Sequence, residues 1–493
     1  MDVDLTPIMT YLGTGLHSLP WNWIGVAIHS VLAPLAALHA MLYKRDSRAA
    51  LGWVSVCLFF PIVGPFAYYM FGINRIRTRG REFAQRRAFH IHVGYERGLS
   101  GIEPTTLAQE LGQNLTAFAR VSNHVTSRTL TPGNRIELLQ NGEQAYPAML
   151  AAINQAQHQV WLISYLFESD EIGAAFVTAL TAARQRGVDV RVIVDGIGDL
   201  YSWPRMSRTL CRAGIQVARF LPPKLWPPSF SINLRNHRKI LVVDGQRGFT
   251  GGMNIGVRHL VASIAAGRTV DLHFRVEGPV LRQLQAVFAE DWRFASGEAL
   301  TLAEGESVSP GKSFCRCISD GPNEDLDKIS LIMMGAISAA QHSVTMITPY
   351  FLPSREMIAS LQSAALRGVE VVIILPRRSN LRFVDWATRN LLWELLQHKV
   401  KVYYQPAPFA HTKLFVVDGV YAQLGSANLD PRSLRLNFEL NLEVFCAEFA
   451  TQLETYAQAI RRDLVATSLQ EVDSRALTVR IRDALCWLLT PYL

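Results

Sequence analysis

Cysteine is scarce and scattered in this 493-residue chain: Cys57, Cys211, Cys315, Cys317, Cys446 and Cys486 are the full set. Only Cys315 and Cys317 lie close together, at a spacing too tight for a ready bridge or a zinc knuckle. That pattern argues against a disulfide framework and for a reducing compartment. Charge is sparse too, at 18% of residues, and acidic side chains are outnumbered, which leaves a net charge of +8. Such a balance favours a polyanionic partner, either nucleic acid or an anionic lipid surface, and composition alone does not choose between them. Two long stretches, residues 21–43 and 49–72, lack Lys, Arg, Asp and Glu altogether.

Each of those stretches is long enough to cross about 30 Å of hydrocarbon as a helix. With the polar turn Lys44-Arg45-Asp46-Ser47-Arg48 between them, they predict a transmembrane hairpin over residues 1–72, with helices near 21–43 and 49–72. Hydrophobic residues at 49% and a mean hydropathy of +0.12 agree with membrane-embedded length. A buried core hairpin fits these lengths poorly. No basic segment precedes Trp21 and a second apolar run follows at once, which argues against a cleaved signal peptide. The basic cluster Arg75, Arg77, Arg79, Arg81, Arg86 and Arg87 places the following part in the cytoplasm. Lys44, Arg45 and Arg48 pull the opposite way. Pro61, Gly64 and Pro65 interrupt the second run and leave a re-entrant hairpin open.

A basic connector over 73–130, with a helical stretch near Leu107 to Val121, leads into an internal repeat. Ala151-Ala152-Ile153-Asn154-Gln155-Ala156-Gln157-His158 is echoed by Gly335-Ala336-Ile337-Ser338-Ala339-Ala340-Gln341-His342. Each copy leads into an apolar run, 160–167 and 344–351, that reads as a buried strand. After a helix-like stretch each has a second strand signal, Arg186-Gly187-Val188-Asp189-Val190 and Arg367-Gly368-Val369-Glu370-Val371. Strands alternating with helices imply parallel sheets covered by helices. The fold class is α/β, as two pseudo-symmetric lobes over 131–305 and 306–493.

Each lobe carries one copy of a chemical motif. The first is Asn236-His237-Arg238-Lys239, with Asp244-Gly245 beyond; the second is Ala410-His411-Thr412-Lys413, with Asp418-Gly419 beyond. His and Lys alternate at the head of a β-branched run, so both side chains point to one face. Asn254, after Gly251-Gly252, and Asn428, after Gly425-Ser426, each lie seventeen residues beyond their histidine. That spacing predicts a hairpin with its turn at Asp-Gly. An imidazole can attack phosphorus, a lysine ammonium can neutralise the phosphoryl oxygens, and Asn and Ser can donate further hydrogen bonds. One cluster has a nucleophile but no acid for the leaving group; two facing clusters supply both. Asp244 and Asp418 fit a turn at least as well as the chemistry. Asp271 and Glu439, a few tens of residues beyond their histidines, are candidates to orient the rings, with solvated surface charge as the alternative.

These residues resemble the phospholipase D superfamily, whose signature is a duplicated His-x-Lys-x4-Asp with nearby Gly-Gly/Ser and Asn. The chain is similar more specifically to bacterial cardiolipin synthases of that type. The similarity runs through Phe249-Thr250-Gly251-Gly252-Met253-Asn254, Val276-Glu277-Gly278-Pro279, Ser426-Ala427-Asn428-Leu429-Asp430-Pro431-Arg432-Ser433 and Asn437-Phe438-Glu439. It extends to Phe71-Gly72-Ile73-Asn74-Arg75 and to Leu489-Thr490-Pro491-Tyr492-Leu493. The resemblance implies two phospholipase D-like lobes, a catalytic set of His237, Lys239, Asp244, His411, Lys413 and Asp418, and supporting Asn254, Asn428, Ser426, Asp271 and Glu439. It implies transfer between two phosphatidylglycerol molecules through a phosphatidyl-histidine, with no metal or cofactor. By analogy His237 is the nucleophile and His411 the acid, then base; the residues alone allow the reverse. The implied partners are anionic phospholipid (phosphatidylglycerol and cardiolipin) and the bacterial inner membrane, not nucleic acid. Gly267-Arg268-Thr269-Val270 departs from the family's aromatic-rich stretch, and this segment is expected to border the substrate entrance.

Two further segments are candidates for membrane contact. Leu221-Pro222-Pro223-Lys224-Leu225-Trp226-Pro227-Pro228 is either an interfacial loop or a rigid surface loop. From Arg475 onward, arginines interleave with Leu477, Val479, Ile481, Leu485, Trp487 and Leu488, which fits an interfacial helix or a core-packed one. A lipid hydrolase, a nuclease and an inactive lipid-binding scaffold are the competing readings.

Overall fold

The computed structural model describes residues 21–44, 47–72, 113–223, 234–262, 267–302, 308–322 and 327–490. The expectations on the basic connector before residue 113, on Trp226 and on the last three residues lie outside that set. Two compact units emerge, Met1–Glu82 and Phe83–Leu493.

In the first unit, the helix Trp21–Tyr43 rises about 35 Å at 1.5 Å per residue, enough to cross a bilayer. The second apolar run is not the single span expected over 49–72. It forms a 13-residue helix Ser47–Phe59, a short helix Val63–Ala67 and a π turn Tyr68–Gly72. Pro61 supplies no N–H to continue the ladder, and Ile62 takes a left-handed φ of 59°. A Cβ on Gly64 would lie 2.0 Å from the Val56 carbonyl oxygen, so only glycine fits where the chain bends. Thirteen residues rise only about 20 Å. This broken arm is held to the first helix by the His39–Tyr68 hydrogen bond of 2.7 Å. Trp53 packs edge-on to Tyr68, beside the buried Ala37, Ala40 and Cys57.

In the second unit, the first half supplies β1 (Thr131–Gln140), β2 (Gln159–Ser164), β3 (Asp189–Asp195), β4 (Gln216–Phe220), β5 (Ile240–Val243), β6 (Arg247–Gly251), β7 (Thr269–Val270) and β8 (Leu272–Glu277). The second half supplies β9 (Ser313–Asp320), β10 (Ser343–Ile347), β11 (Glu370–Pro376), β12 (Lys401–Gln405), β13 (Phe409–Ala410), β14 (Leu414–Val417), β15 (Tyr421–Gly425) and β16 (Glu439–Phe445). All but β7 and β13 join one 14-stranded sheet in the order β12-β11-β10-β14-β15-β16-β9-β1-β8-β6-β5-β2-β3-β4. Outward from the antiparallel β9–β1 seam the elements repeat in the same order, so the halves are related by a pseudo-two-fold axis.

Alternating side chains feed two layers. Val160 and Leu162 pack with the helices Asn141–Gln155 and Glu171–Gln185. Trp161 and Ile163 enter a core shared with Val372, Ile374, Leu414 and Val416, beneath the helices Leu281–Ser296 and Ala447–Arg461. The halves therefore bury apolar surface against each other. The helix Gln113–Thr126 is not a mere connector, because Leu115, Phe118 and Ala119 pack into the core of the second half. Fully buried Arg316 ties it there, bonding Glu443 and the carbonyls of Ala119 and Arg128. The C-terminal helix Leu477–Leu488 packs on the core along one side only. It buries Asp483 and Cys486 on one face and exposes Leu477, Ile481, Leu485 and Leu488 on the other.

Both predicted hairpins form. Their turns place Asp244, Gly245, Asp418 and Gly419 at φ of 53°, 65°, 52° and 64°, the doubly left-handed geometry that Asp-Gly tolerates. The Asp244 carboxylate accepts from the backbone N–H groups of Gln157, His158 and Gln159 at 2.9, 2.8 and 2.8 Å. Asp418 holds Gln341, His342 and Ser343 at 2.8, 2.7 and 2.8 Å. Each carboxylate thus locks the approach to β2 or β10 from the turn end of its hairpin, which is the turn role the sequence left open beside a catalytic one. Asp418→Ala strands three amides and is expected to cost about 2–4 kcal/mol, read by chemical denaturation in detergent. Lost turnover with an unchanged unfolding midpoint would return Asp418 to the chemistry.

Candidate active site

The extended segments leading into β5 and β14 carry the two His/Lys pairs, and each segment is stitched to the opposite half. His237 N–H donates to the Phe438 carbonyl at 2.9 Å, and Phe438 N–H donates to the Arg235 carbonyl at 2.8 Å. His411 N–H donates to the Val270 carbonyl at 2.7 Å, beside the parallel β7–β13 pair. The residue after each acceptor is a carboxylate. His237 Nδ1 lies 3.1 Å from Glu439 Oε2, and His411 Nδ1 lies 2.8 Å from Asp271 Oδ2. Asp271 and Glu439 therefore each serve the histidine of the other half, whereas the sequence paired each with the histidine that precedes it. The cause is topological: β8 and β16 flank the seam strands, so their leading ends face across it. Within Gly267–Val270, Thr269 and Val270 form part of this stitching.

The two carboxylates are supported differently. Glu439 accepts from Ser426 Oγ at 2.5 Å, Ser433 Oγ at 2.5 Å and Asn437 Nδ2 at 3.2 Å. Burial alone would raise it, but His237, Lys239 and Ser426 together hold it down to about 2. Asp271 accepts from the Leu272 N–H at 2.8 Å and presses on Gly252, where a Cβ would come within 2.5 Å of Oδ1. Burial pushes Asp271 up, against the pull of Lys413. The longer acid leans on a serine; the shorter one fills the space that a glycine leaves.

Burial holds both imidazoles below the usual histidine value. Glu439 partly offsets this at His237, while Lys413 and Lys239 deepen it at His411. Each ring turns its Nδ1 to a carboxylate and thereby presents Nε2 for chemistry. Burial also lowers Lys239 to about 7 and Lys413 to about 8. Their ammonium groups donate to the carbonyls of their own histidines at 2.6 and 2.5 Å. Two buried lysines beside the paired imidazoles can make a receptor for one phosphodiester anion.

Asn254 Oδ1 accepts from Leu166 N–H at 3.2 Å, whereas Asn428 Oδ1 is buried without a hydrogen-bond partner among the described residues. Ser426, expected to donate to phosphate, has its hydroxyl committed to Glu439. Sequence reasoning missed several residues here. Arg238, the residue between His and Lys, is buried and donates to Asp291 at 2.6 Å and to the Glu439 carbonyl at 3.0 Å. Asn236 donates to Asp291 at 2.8 Å, and its own N–H reaches Asp195 at 2.9 Å. Tyr165 and Tyr350 stand edge-on to His237 and His411, with ring centroids 5.2 and 6.4 Å away. A charged residue between His and Lys at the head of a buried run, as at Arg238, was the available signal, since such a residue needs buried partners.

Relatives place this geometry. The family model "Cardiolipin synthase, PLD-like domain" matches residues 149–292 and again 333–461, and the "Phospholipase_D-nuclease N-terminal" model matches 31–72. The chain belongs to the cardiolipin synthase family. It is 30% identical to a cardiolipin synthase of Geobacillus kaustophilus over 93% of this chain and 91% of that one. Identity is also 30% with the major cardiolipin synthase of Bacillus subtilis, over 93% of this chain and 96% of the relative. With cardiolipin synthase A of Pseudomonas putida it is 33%, over 86% and 88%. The fold is shared with the phosphatidylserine synthase of Haemophilus influenzae, at a TM-score of 0.56 and 15% identity, over 76% of this chain and all of that one.

A lowered lysine value means that the ammonium is lost as pH rises through the folded-state value. Lipid affinity is therefore expected to weaken as pH climbs past about 7 for Lys239 and about 8 for Lys413. The apparent KM should rise through that window, and Lys413→Arg should flatten its upper part. A KM independent of pH between 6 and 9 (roughly one unit either side of these values) would count against the lysines as the anion receptor.

Proposed function

We propose that this phosphatidyltransferase joins two phosphatidylglycerol molecules into cardiolipin and glycerol through a phosphatidyl-histidine. The observation that carries the reading is the crossed pair of carboxylate-held imidazoles: it gives one site both a nucleophile and an acid–base partner. His237 Nε2 attacks phosphorus; the P–N bond forms as the P–O bond to glycerol breaks. His411, protonated as the bound anion offsets the nearby lysines, gives its proton to the leaving alkoxide. It then takes the proton from a hydroxyl of the second phosphatidylglycerol, whose oxygen attacks phosphorus and releases His237. Lys239, Lys413, Asn254 and Asn428 hold the non-bridging oxygens, where charge grows in each transition state. Glu439 and Asp271 fix the tautomers and stabilise the imidazolium forms. The choice of His237 as nucleophile follows the family resemblance.

The helix Trp21–Tyr43 anchors the enzyme in the bacterial inner membrane. The basic segment after residue 72 keeps the catalytic unit on the cytoplasmic side, and the broken second arm returns the chain to that side. The substrate is thereby an anionic membrane lipid rather than a nucleic acid.

Purified protein given phosphatidylglycerol alone is expected to yield cardiolipin and glycerol in equal amounts. His237→Ala should lower the rate by about 10⁴-fold or more. Phosphatidic acid without cardiolipin would replace the synthase with a hydrolase. Adding phosphatidylethanolamine reads the acceptor preference directly.

A further inference from the structure

Two loops at the carboxyl ends of β3 and β11 carry apolar side chains into solvent. Leu200, Tyr201 and Trp203 are 43%, 71% and 84% exposed, and Leu381 and Phe383 are 45% and 60% exposed. Leu200 and Leu381 lie the same number of residues beyond the starts of their strands, so the pseudo-symmetry places both loops alike. Scattered apolar residues on a surface need no explanation, but matched groups around one opening do.

Both loops are tied to the active site. Asp195 accepts from the N–H groups of Ile197 and Gly198 at 2.8 and 3.0 Å, and from that of Asn236, the neighbour of His237, at 2.9 Å. Ser202 Oγ donates to the Phe167 carbonyl at 3.0 Å, two residues beyond the Tyr165 ring that edges His237. In the other half, the Tyr350 hydroxyl donates to Asn380 Oδ1 at 2.7 Å, and the Tyr350 ring edges His411. Each loop is thus hydrogen-bonded to a segment beside one histidine, and the two loops are called the lips of the site below.

The apolar surface continues beyond the second lip. Phe383 sits in the first turn of the helix Arg382–Leu396, which is partly covered by the C-terminal helix. Arg475 donates to the Arg389 carbonyl at 3.2 Å, and the Arg482 guanidinium lies 4.3 Å from the Trp386 ring centroid. The two helices thus run antiparallel, and the exposed stripe of Leu477, Ile481, Leu485 and Leu488 leads towards Phe383. Exposed Arg377, Arg378 and Arg382 lie beside Leu381. Aromatic side chains interleaved with arginines match the headgroup layer of an anionic bilayer, where rings sit at the interface and guanidinium groups meet phosphates.

We propose that the two lips, continued by the stripe of the C-terminal helix, seat the active-site opening in the headgroup layer of an anionic bilayer. A lipid then slides from the membrane to His237 and His411 without crossing open water. This rests on the reading above that the substrate is a bilayer lipid.

The test uses the full chain and two forms of phosphatidylglycerol: long-chain lipid in nanodiscs, and a short-chain form dissolved as monomers below its micellar concentration. For Tyr201→Ser with Trp203→Ser, and separately for Leu381→Ser with Phe383→Ser, the ratio of nanodisc to monomer turnover should fall at least about tenfold. That corresponds to about 1.4 kcal/mol of lost interfacial binding. Equal losses on both substrates, or none on either, overturn the proposal. Trp203→Phe should also remove a component of tryptophan fluorescence that brominated phosphatidylglycerol quenches, and unchanged quenching overturns it. A wild-type enzyme that hydrolyses both lipid forms without making cardiolipin would defeat the proposed function, yet the turnover ratio would still report on the lips.

Discussion

The structure depends on one contact made twice: an imidazole Nδ1–H given to a buried carboxylate that belongs to the other half of the chain. Neither half contains a complete histidine–carboxylate pair. His237 requires Glu439, and His411 requires Asp271. The backbone enforces this, because each histidine N–H bonds to the carbonyl just before the carboxylate it uses. The 14-stranded sheet, the shared core and the β7–β13 pair all hold that crossing in register. A loosened seam would leave two buried, unpartnered imidazoles and two uncompensated acids, which is costly in a low-dielectric interior.

Within the pseudo-symmetry, the clusters are not copies of each other. Glu439 gathers hydroxyl and amide donors and is driven strongly towards its charged form, whereas Asp271 has fewer donors and rests on a glycine. Beneath His237, Arg238 spans from Asp291 to the Glu439 backbone. The matching position beneath His411 is the neutral Thr412. A buried charged brace of this kind fixes geometry more than it adds stability. The first cluster is therefore braced by a buried charged network that the second lacks.

Much of this was legible in the sequence, for identifiable reasons. The echo of residues 151–160 in 335–344 announced the two-fold fold, and the equal His-to-Asn spacings announced two clusters in one site. Asp-Gly in each hairpin declared its turn, because few other pairs accept two left-handed residues. What escaped was set by long-range pairing. The crossing of Asp271 and Glu439 follows from which strands border the seam, a fact with no local signature. Periodicity likewise treated 49–72 as one apolar span, although Pro61 removes a donor and Ile62 reverses the backbone. The commitment of Ser426 to Glu439 rather than to substrate depends on a residue thirteen positions away in sequence, brought close only by the β15–β16 pairing.

The helix Gln113–Thr126 precedes the first half in sequence yet packs into the second, with Arg316 and Glu443 closing over it. Among the described elements of the catalytic unit it is made first, and more than three hundred further residues must follow before Tyr421 and Phe445, against which Phe118 packs, have been made. The second half therefore cannot fill its core until this early helix and its late strands are both present, which makes the catalytic unit one cooperative fold rather than two lobes in series.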